Sequence, residues 1–177
     1  MFSSFHVGVA AEAYAAALLA RCGIDVSVQY GANQPEYDLI ISSGDRMLKV
    51  SVKGSKDGSW GLTQKHIENA DYHRAIDLWM LGHKDLTIFC FVQFKDVALN
   101  DMPRVYLATP SEIATRLRGT RNGLGDTILY ESHTWGVRAH AAGMKEQIPN
   151  EWQFSPGRIE ELLASAKDAC SSRCGST

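Results

Sequence analysis

The sequence predicts one α/β domain in which helices flank a mixed central sheet. Two runs with period-2 alternation, 36–43 and 46–54, flank Gly44-Asp45, which is typical of a β-hairpin with a two-residue turn. A nearly unbroken apolar run, 86–94, indicates a central strand covered on both faces. Helical patterns precede and follow the hairpin, so we expect helices to cover the sheet.

The first helix is predicted over residues 5–22, and Gly23 ends it. Between Val7 and Ala20 only Glu12 is charged. A helix that is apolar all round is normally buried, and a buried glutamate needs a partner or a ligand. Glu12 is therefore a candidate for a cation site. The alternative is an exposed glutamate on a small, alanine-rich helix.

Residues 24–30 predict a first strand, and 31–35 supply the loop before the hairpin. A glycine at the first turn position favours a type II′ turn. If Ser43 faces Arg46, the pairing of the two strands is determined. The face of the hairpin that points to the core then carries the pairs Leu39 with Val50 and Ile41 with Leu48.

The other face of the hairpin carries Asp38 opposite Ser51, with Lys53 one diagonal step away. Directly opposed residues have Cβ atoms roughly 4.5–5.5 Å apart, so these side chains converge. A hard oxygen ligand for Mg²⁺ beside a cation is what metal-dependent phosphodiester cleavage needs. An Asp and a Lys on the solvent face of a hairpin are also ordinary, and that interpretation stays open.

The segment after the hairpin is a candidate nucleic-acid surface. In the loop 54–61, Lys56 is a candidate phosphate contact and Trp60 a candidate base-stacking residue, although Trp60 would equally anchor the loop on the core. A helix is predicted over 63–81, with Thr63 as its N-cap. It carries Lys65 and Arg74, which are candidate DNA contacts or part of a solvated helix face.

The second half of the chain completes a single domain over residues 1–167. A strand is predicted over 104–108, and a capping box at Thr109-Pro110-Ser111-Glu112 begins a helix that ends at Gly119. A last strand is predicted over 127–132, a final helix begins at Ser155-Pro156, and 168–177 is expected to be a flexible tail. The basic, glycine-rich stretch 116–125 fits neither a P-loop nor a dinucleotide fingerprint, so no nucleotide cofactor is expected.

Composition limits the function classes. A net charge of −2 argues against a protein that coats nucleic acid generally, so any DNA contact must come from a local patch. The sequence shows neither an apolar stretch long enough for a membrane span nor a signal-peptide pattern, which favours a cytoplasmic protein without membrane partners. The spacing of the four cysteines supports neither a disulfide framework nor a zinc site.

The chain resembles the PD-(D/E)XK nuclease superfamily, which includes many restriction endonucleases and Holliday-junction resolvases. The resemblance covers about residues 5–110 and rests on a helix with Glu12, a strand, the Pro35-x-x-Asp38 strand and the Val52-Lys53 strand. It implies a restriction-endonuclease-like fold and a Mg²⁺-dependent (or Mn²⁺-dependent) deoxyribonuclease with DNA as its partner. In that pattern Asp38 and Glu12 bind the metal, the Val52 carbonyl adds an oxygen ligand, and Lys53 stabilises charge or orients water.

The chain departs from the pattern at two places. The usual Pro-Asp pair is stretched to Pro35-Glu36-Tyr37-Asp38, and the acidic residue expected two positions before the lysine is Ser51. Some restriction endonucleases with Ser-x-Lys carry the displaced carboxylate on the following helix, and Glu68 has a similar spacing.

Three functions therefore remain open. The first is the nuclease. The second is a pseudo-nuclease that binds nucleic acid or a protein without cleaving, which Ser51 favours. The third is an immunity-like or antitoxin-like interaction protein, which the mild acidity favours. The sequence also leaves open whether the chain acts as a homodimer.

Overall fold

The computed structural model describes residues 3–29, 36–83, 86–136 and 141–174, with side chains described as far as Ala166. The loop expected over 31–35 lies outside these ranges. The described helices are α1 (Ser4–Arg21), α2 (Tyr72–Leu81), α3 (Pro110–Gly123) and α4 (Pro156–Cys174), with 3₁₀ turns at Gln64–His66 and Asn150–Trp152. The described strands are β1 (Asp25–Val28), β2 (Leu39–Ser43), β3 (Arg46–Ser55), β4 (Ser59–Gly61), β5 (Thr87–Gln93), β6 (Arg104–Ala108), β7 (Ile128–Tyr130), β8 (Ser132–Thr134) and β9 (Lys145–Gln147).

A five-stranded mixed sheet forms the middle layer, in the order β1-β2-β3-β5-β6. Only β3 and β5 pair in parallel within it, and the other neighbours are antiparallel. Strands β4 and β7 form a separate two-stranded sheet, as do β8 and β9. The predicted α/β class and mixed central sheet are therefore confirmed, whereas the strand expected over 127–132 is split into two short strands outside that sheet.

The predicted hairpin register is also confirmed. Leu39 pairs with Val50, Ile41 with Leu48 and Ser43 with Arg46. Gly44 has a φ of 62° and Asp45 is not among the residues with positive φ, as a type II′ turn requires.

The two faces of the sheet pack against different helices. Alternate residues of β3 and β5, among them Val50, Val52 and Cys90, join a core with α1 and α4. Phe89 and Phe91 point to the other face and join a core with α2 and α3. Ser51 pairs in register with Phe89, and Lys53 with Phe91. Paired residues of neighbouring strands lie on the same face of a sheet, so Ser51 and Lys53 lie on the α2 side.

Helix α1 is buried on one face rather than all round, which corrects the prediction. Its buried residues recur every fourth position: Val7, Ala11, Ala15 and Leu19. On the outer side Phe5 is 73% exposed and Val9 52% exposed. Alanine exposes little apolar area, so a helix rich in alanine tolerates an uncovered face at small free-energy cost.

The helix predicted over 63–81 is wrong in its first half. Asn69 and Ala70 have φ values of 52° and 59°, in the left-handed region that a helix does not enter. Helix α2 therefore starts only after Asp71, whose side chain accepts a hydrogen bond from the Arg74 N–H. The true N-cap is thus Asp71, and Thr63 makes no side-chain cap hydrogen bond.

The two helices of the C-terminal half begin where the sequence predicts. The capping box of Thr109 and Glu112 is present, and Thr120, with a ψ of 144°, leaves the helical conformation immediately after Gly119. Ser155 caps α4 by accepting a hydrogen bond from the Arg158 N–H. Helix α4 continues to Cys174, past residue 168 where we expected a flexible tail to begin.

Candidate active site

Three hydrogen bonds fix the position of Asp38, the residue immediately before β2. Its N–H donates to the Val50 carbonyl (2.9 Å), and its own carbonyl accepts from the Gln29 N–H (2.9 Å). Its side-chain Oδ2 accepts from the Val52 N–H at 2.6 Å. The carboxylate therefore lies against the edge of β3, as the register predicts, and Oδ1 makes no hydrogen bond that the described residues supply.

The Val52 backbone places both its N–H and its carbonyl group at this edge. In an antiparallel pair, the N–H and the C=O of one residue project to the same side of a strand. Because the Val52 N–H points to Asp38, the Val52 carbonyl faces the same edge, where regular β2 pairing has ended. This placement suits the oxygen-ligand role that the resemblance implies.

Lys53 is exposed, and the backbone around it is fixed by Trp60. The Trp60 Nε1–H donates to the Lys53 carbonyl at 2.9 Å. Trp60 is only 4% exposed and packs against the Phe91 ring, with 5.2 Å between ring centroids. Base stacking by Trp60 is therefore wrong as a prediction for this conformation, and the alternative, an anchor on the core, is what the structure shows.

Helix α1, which carries Glu12, packs very closely on β3. A Cβ built on Gly54 would lie 2.7 Å from the Val7 carbonyl oxygen and 2.9 Å from the Ala11 Cβ, so only glycine permits this approach. Burial raises the pKa of the Glu12 carboxyl, the nearby Asp38 carboxylate raises it further, and Lys53 lowers it. The charges of Asp38 and Lys53 therefore act on the Glu12 carboxyl.

Two carboxylates and a lysine are a set of groups that would suit a magnesium ion bound together with a phosphate substrate. Mg²⁺ is commonly held by one or two carboxylates together with waters and substrate oxygens, rather than by a complete protein cage. The Asp38 carboxylate raises the pKa of Glu12, so the two groups repel each other, and a bound divalent cation would relieve that repulsion. Within the described part of the chain, no cluster of three or more His, Cys, Asp or Glu side chains is arranged to bind a metal.

No model of a protein family matches the sequence of the chain, and no curated protein matches it. In the parts of the chain that the structure describes, no helix has the length and apolar character to cross a membrane.

Ser51 is placed beside Lys53 but offers no replacement carboxylate. Ser51 is 3% exposed and lines the same cavity as Lys53. Glu68 does not come to it in this structure. Glu68 lies in the segment between the 3₁₀ turn and α2, is exposed, and forms an ion pair with Arg74 at 3.7 Å. The predicted position of Glu68 on a continuous helix is therefore wrong.

The remaining candidate DNA contacts are Lys56, Lys65 and Arg74. Lys65 lines the cavity that Ser51 and Lys53 share. Lys56 is exposed in the turn between β3 and β4, and Arg74 is exposed near the start of α2, where Glu68 pairs with it. Of these three residues, Lys65 alone is among those that line this cavity.

Sequence reasoning missed Glu36 and His83, which line the same cavity. A signal existed for Glu36, since it stands two positions before Asp38 and an extended segment places such residues on one face. No local signal marks His83. It reaches the cavity because α2 packs on the sheet, where its ring contacts Trp79 and Phe89 with centroid distances of 4.3 and 5.1 Å.

Proposed function

We propose that the protein is a Mg²⁺-dependent deoxyribonuclease of the PD-(D/E)XK type, with a restriction-endonuclease-like fold and a cytoplasmic location. The observation that carries the proposal is the hydrogen bond of 2.6 Å from the Val52 N–H to Asp38 Oδ2. It fixes a carboxylate at the edge of the strand that bears Lys53, in the electrostatic neighbourhood of Glu12.

Each residue has a distinct role in this proposal. Asp38 and Glu12 would hold the metal, with the Val52 carbonyl as a further oxygen ligand. A bound Mg²⁺ would supply Lewis-acid stabilisation of the phosphate and a water of lowered pKa. Lys53 would place its ammonium group against the phosphate oxygens, where negative charge develops in the transition state.

A pseudo-nuclease is the second candidate, and one observation favours it. Ser51 occupies the place of the second carboxylate, and Glu68 is exposed and paired with Arg74 instead of replacing it. A protein with this site would bind nucleic acid through the same surface without cleaving it. Both candidates share one fold, so only activity separates them.

The test is a cleavage assay on plasmid and on labelled oligonucleotides, with Mg²⁺ or Mn²⁺. We expect wild type to cleave and Lys53→Met to be slower by at least about 100-fold, because it loses a charge that acts on the transition state. Glu68→Ala should cleave like wild type, since Glu68 contacts Arg74 rather than the site. Lys145→Ala, at an exposed position on β9, is the matched control for loss of a lysine.

Two results would contradict the nuclease proposal. If wild type is inert and Ser51→Glu gains activity, the chain is a pseudo-nuclease with the site geometry proposed here. If both are inert and wild type binds no DNA even at low salt, the immunity-like or antitoxin-like interpretation replaces both. Low salt is the sensitive condition, because contacts between lysines and phosphates weaken steeply as salt concentration rises.

A further inference from the structure

His83 follows the C-cap of α2, and its ring packs against two aromatic side chains. The ring centroids of His83 and Trp79 are 4.3 Å apart, and those of His83 and Phe89 are 5.1 Å apart, both in edge-to-face geometry. The His83 N–H donates to the Met80 carbonyl at 3.1 Å, which continues the last turn of the helix. His83 therefore connects the end of α2 to β5, the strand that carries Phe89.

Both ring nitrogens of His83 are buried and have no hydrogen-bond partner among the described residues. Buried polar groups are nearly always hydrogen-bonded in folded proteins, so two unsatisfied nitrogens in one ring are unusual. The neutral ring has one N–H donor, whereas the protonated ring has two and carries a charge. Protonation would therefore bury a charge and leave two donors unsatisfied, which is unfavourable. Attraction of the charged ring to Trp79 would offset part of this cost but would satisfy neither N–H group.

The surroundings of His83 also favour its neutral form. Burial is the main reason that the pKa of His83 lies below its usual value. The Glu36 carboxylate raises this pKa, whereas Lys65, Lys53 and His66 lower it. These four groups and His83 line one cavity, of about 370 Å³. The second cavity that His83 lines, of about 250 Å³, has no other titratable side chain among its lining residues.

The end of α2 has few contacts that would resist a local movement. Leu81 is 83% exposed and Gly82 is exposed, so the packing of His83 is the main contact of residues 81–83 with the sheet. The two cavities that His83 lines leave room for its ring to move. Segments with few buried contacts open at a lower free energy than the whole domain.

We propose that His83 is a pH-sensitive switch that holds the end of α2 on the sheet when its ring is neutral and releases it when the ring is protonated. Trp79, Gly82 and His83 line the cavity that contains Lys53, so release changes this cavity while the rest of the domain stays folded. The switch is a property of the fold and does not depend on the proposed nuclease function.

An NMR titration of the whole protein from neutral to acidic pH tests the proposal. The ring protons of His83 report its protonation. The amide protons of Gly82 and His83, which donate to the Trp79 and Met80 carbonyls, report the end of α2 through their hydrogen exchange. His83→Phe keeps an aromatic ring and removes the titration.

The matched control is His73→Gln. His73 lies in the first turn of the same helix, is exposed, and forms a hydrogen bond with the Gly123 carbonyl that glutamine can also make. Urea unfolding of wild type and both variants at several pH values then measures how protonation of each histidine affects stability.

We expect His83 to titrate below about 6.5, the usual value for histidine. Protection of the Gly82 and His83 amides, corrected for intrinsic exchange rates, should be lost at the same midpoint, whereas the amides of β5 should stay protected. Below the unfolded-state pKa, the unfolded chain binds a proton that the folded chain excludes. The unfolding constant of wild type should therefore rise by up to about ten-fold per pH unit relative to His83→Phe, down to the folded-state pKa, and His73→Gln should behave like wild type.

Three results would overturn the proposal. One is a His83 that titrates at or above about 6.5. Another is amide protection at Gly82 and His83 that persists through the His83 midpoint, or that is lost only together with the protection of β5. The third is the same pH dependence of the unfolding constant in wild type and His83→Phe. If His83→Phe does not fold, the first two measurements on wild type still decide the outcome.

Discussion

Gly54 sets the distance between α1 and β3, and its replacement is the most informative structural perturbation. A Cβ at this position would lie 2.7 Å from the Val7 carbonyl oxygen, whereas ordinary contacts begin at 3.4 Å. Gly54→Ala would therefore have to move α1 outward by about 0.7 Å, the difference between these two distances. Because the clash is with backbone, we expect the free energy of unfolding to fall by about 1–3 kcal/mol.

The same displacement would carry Glu12 away from Asp38 and Lys53. An error of about 1 Å in the position of a catalytic group can reduce a rate by about 100-fold. We therefore predict that Gly54→Ala loses between about ten-fold and 100-fold in Mg²⁺-dependent cleavage while remaining folded at 25 °C.

Urea unfolding followed by circular dichroism measures the stability change. Gly8→Ala is the matched control on the same helix, because a Cβ there would meet nothing within 4 Å. It should raise the free energy of unfolding by about 0.5–1 kcal/mol through helix propensity. If Gly54→Ala is as stable as wild type, close packing of α1 on β3 does not set the position of Glu12.

Three further predictions concern contacts that stabilise the fold. Trp60→Phe should lower the free energy of unfolding by about 1 kcal/mol, because it removes the hydrogen bond to the Lys53 carbonyl. Urea unfolding measures this change. Unchanged DNA affinity in the same variant would show that Trp60 anchors the loop and does not stack on a base. Arg158→Met should destabilise the protein by about 3 kcal/mol in the same assay, because the buried guanidinium binds Glu112 and the Leu107 carbonyl; a change below about 0.5 kcal/mol would contradict this. Burial raises the pKa of Glu112, but hydrogen bonds from Arg158 and Thr109 lower it more, so its pKa in the folded state lies below the usual value. A carboxylate whose pKa is lower in the folded state than in the unfolded state stabilises the fold at neutral pH, and this contribution is lost as the pH falls through the folded-state pKa. The difference in free energy of unfolding between wild type and Glu112→Gln should therefore shrink on acidification, and an increase would contradict the prediction.

The hairpin was predictable because its information is local. Period-2 alternation and the Gly44-Asp45 turn determine a register, and that register places Asp38 and Lys53 together. The capping box at Thr109 was predictable for the same reason, since the residues that satisfy the first N–H groups of a helix stand within one turn of each other.

The failures have two physical origins. The break before α2 depends on two successive left-handed residues, Asn69 and Ala70, and an alanine in that conformation carries no sequence signal. Strands β8 and β9 span three residues each, too few for a hydrophobic period to be recognised.

The composition of the site was only partly predictable because it depends on contacts distant in sequence. Glu12 could be singled out as a lone charge, but its approach to Asp38 follows from the packing of α1 on Gly54. His83 joins the cavity through α2, and Trp60 is drawn into the core by Phe91 and by its hydrogen bond to β3. Tertiary packing decided each of these positions.

The central claim is that Asp38 and its neighbours form a divalent-metal site, and calorimetric titration with Mn²⁺ tests it most directly. Asp38→Asn is the appropriate variant, since an amide oxygen can still accept the hydrogen bond from the Val52 N–H while the charge is lost. We predict one Mn²⁺ site in wild type and at least about ten-fold weaker binding in Asp38→Asn, as expected when a hard anionic ligand is removed. Equal Mn²⁺ affinity in the two proteins would contradict the proposed site.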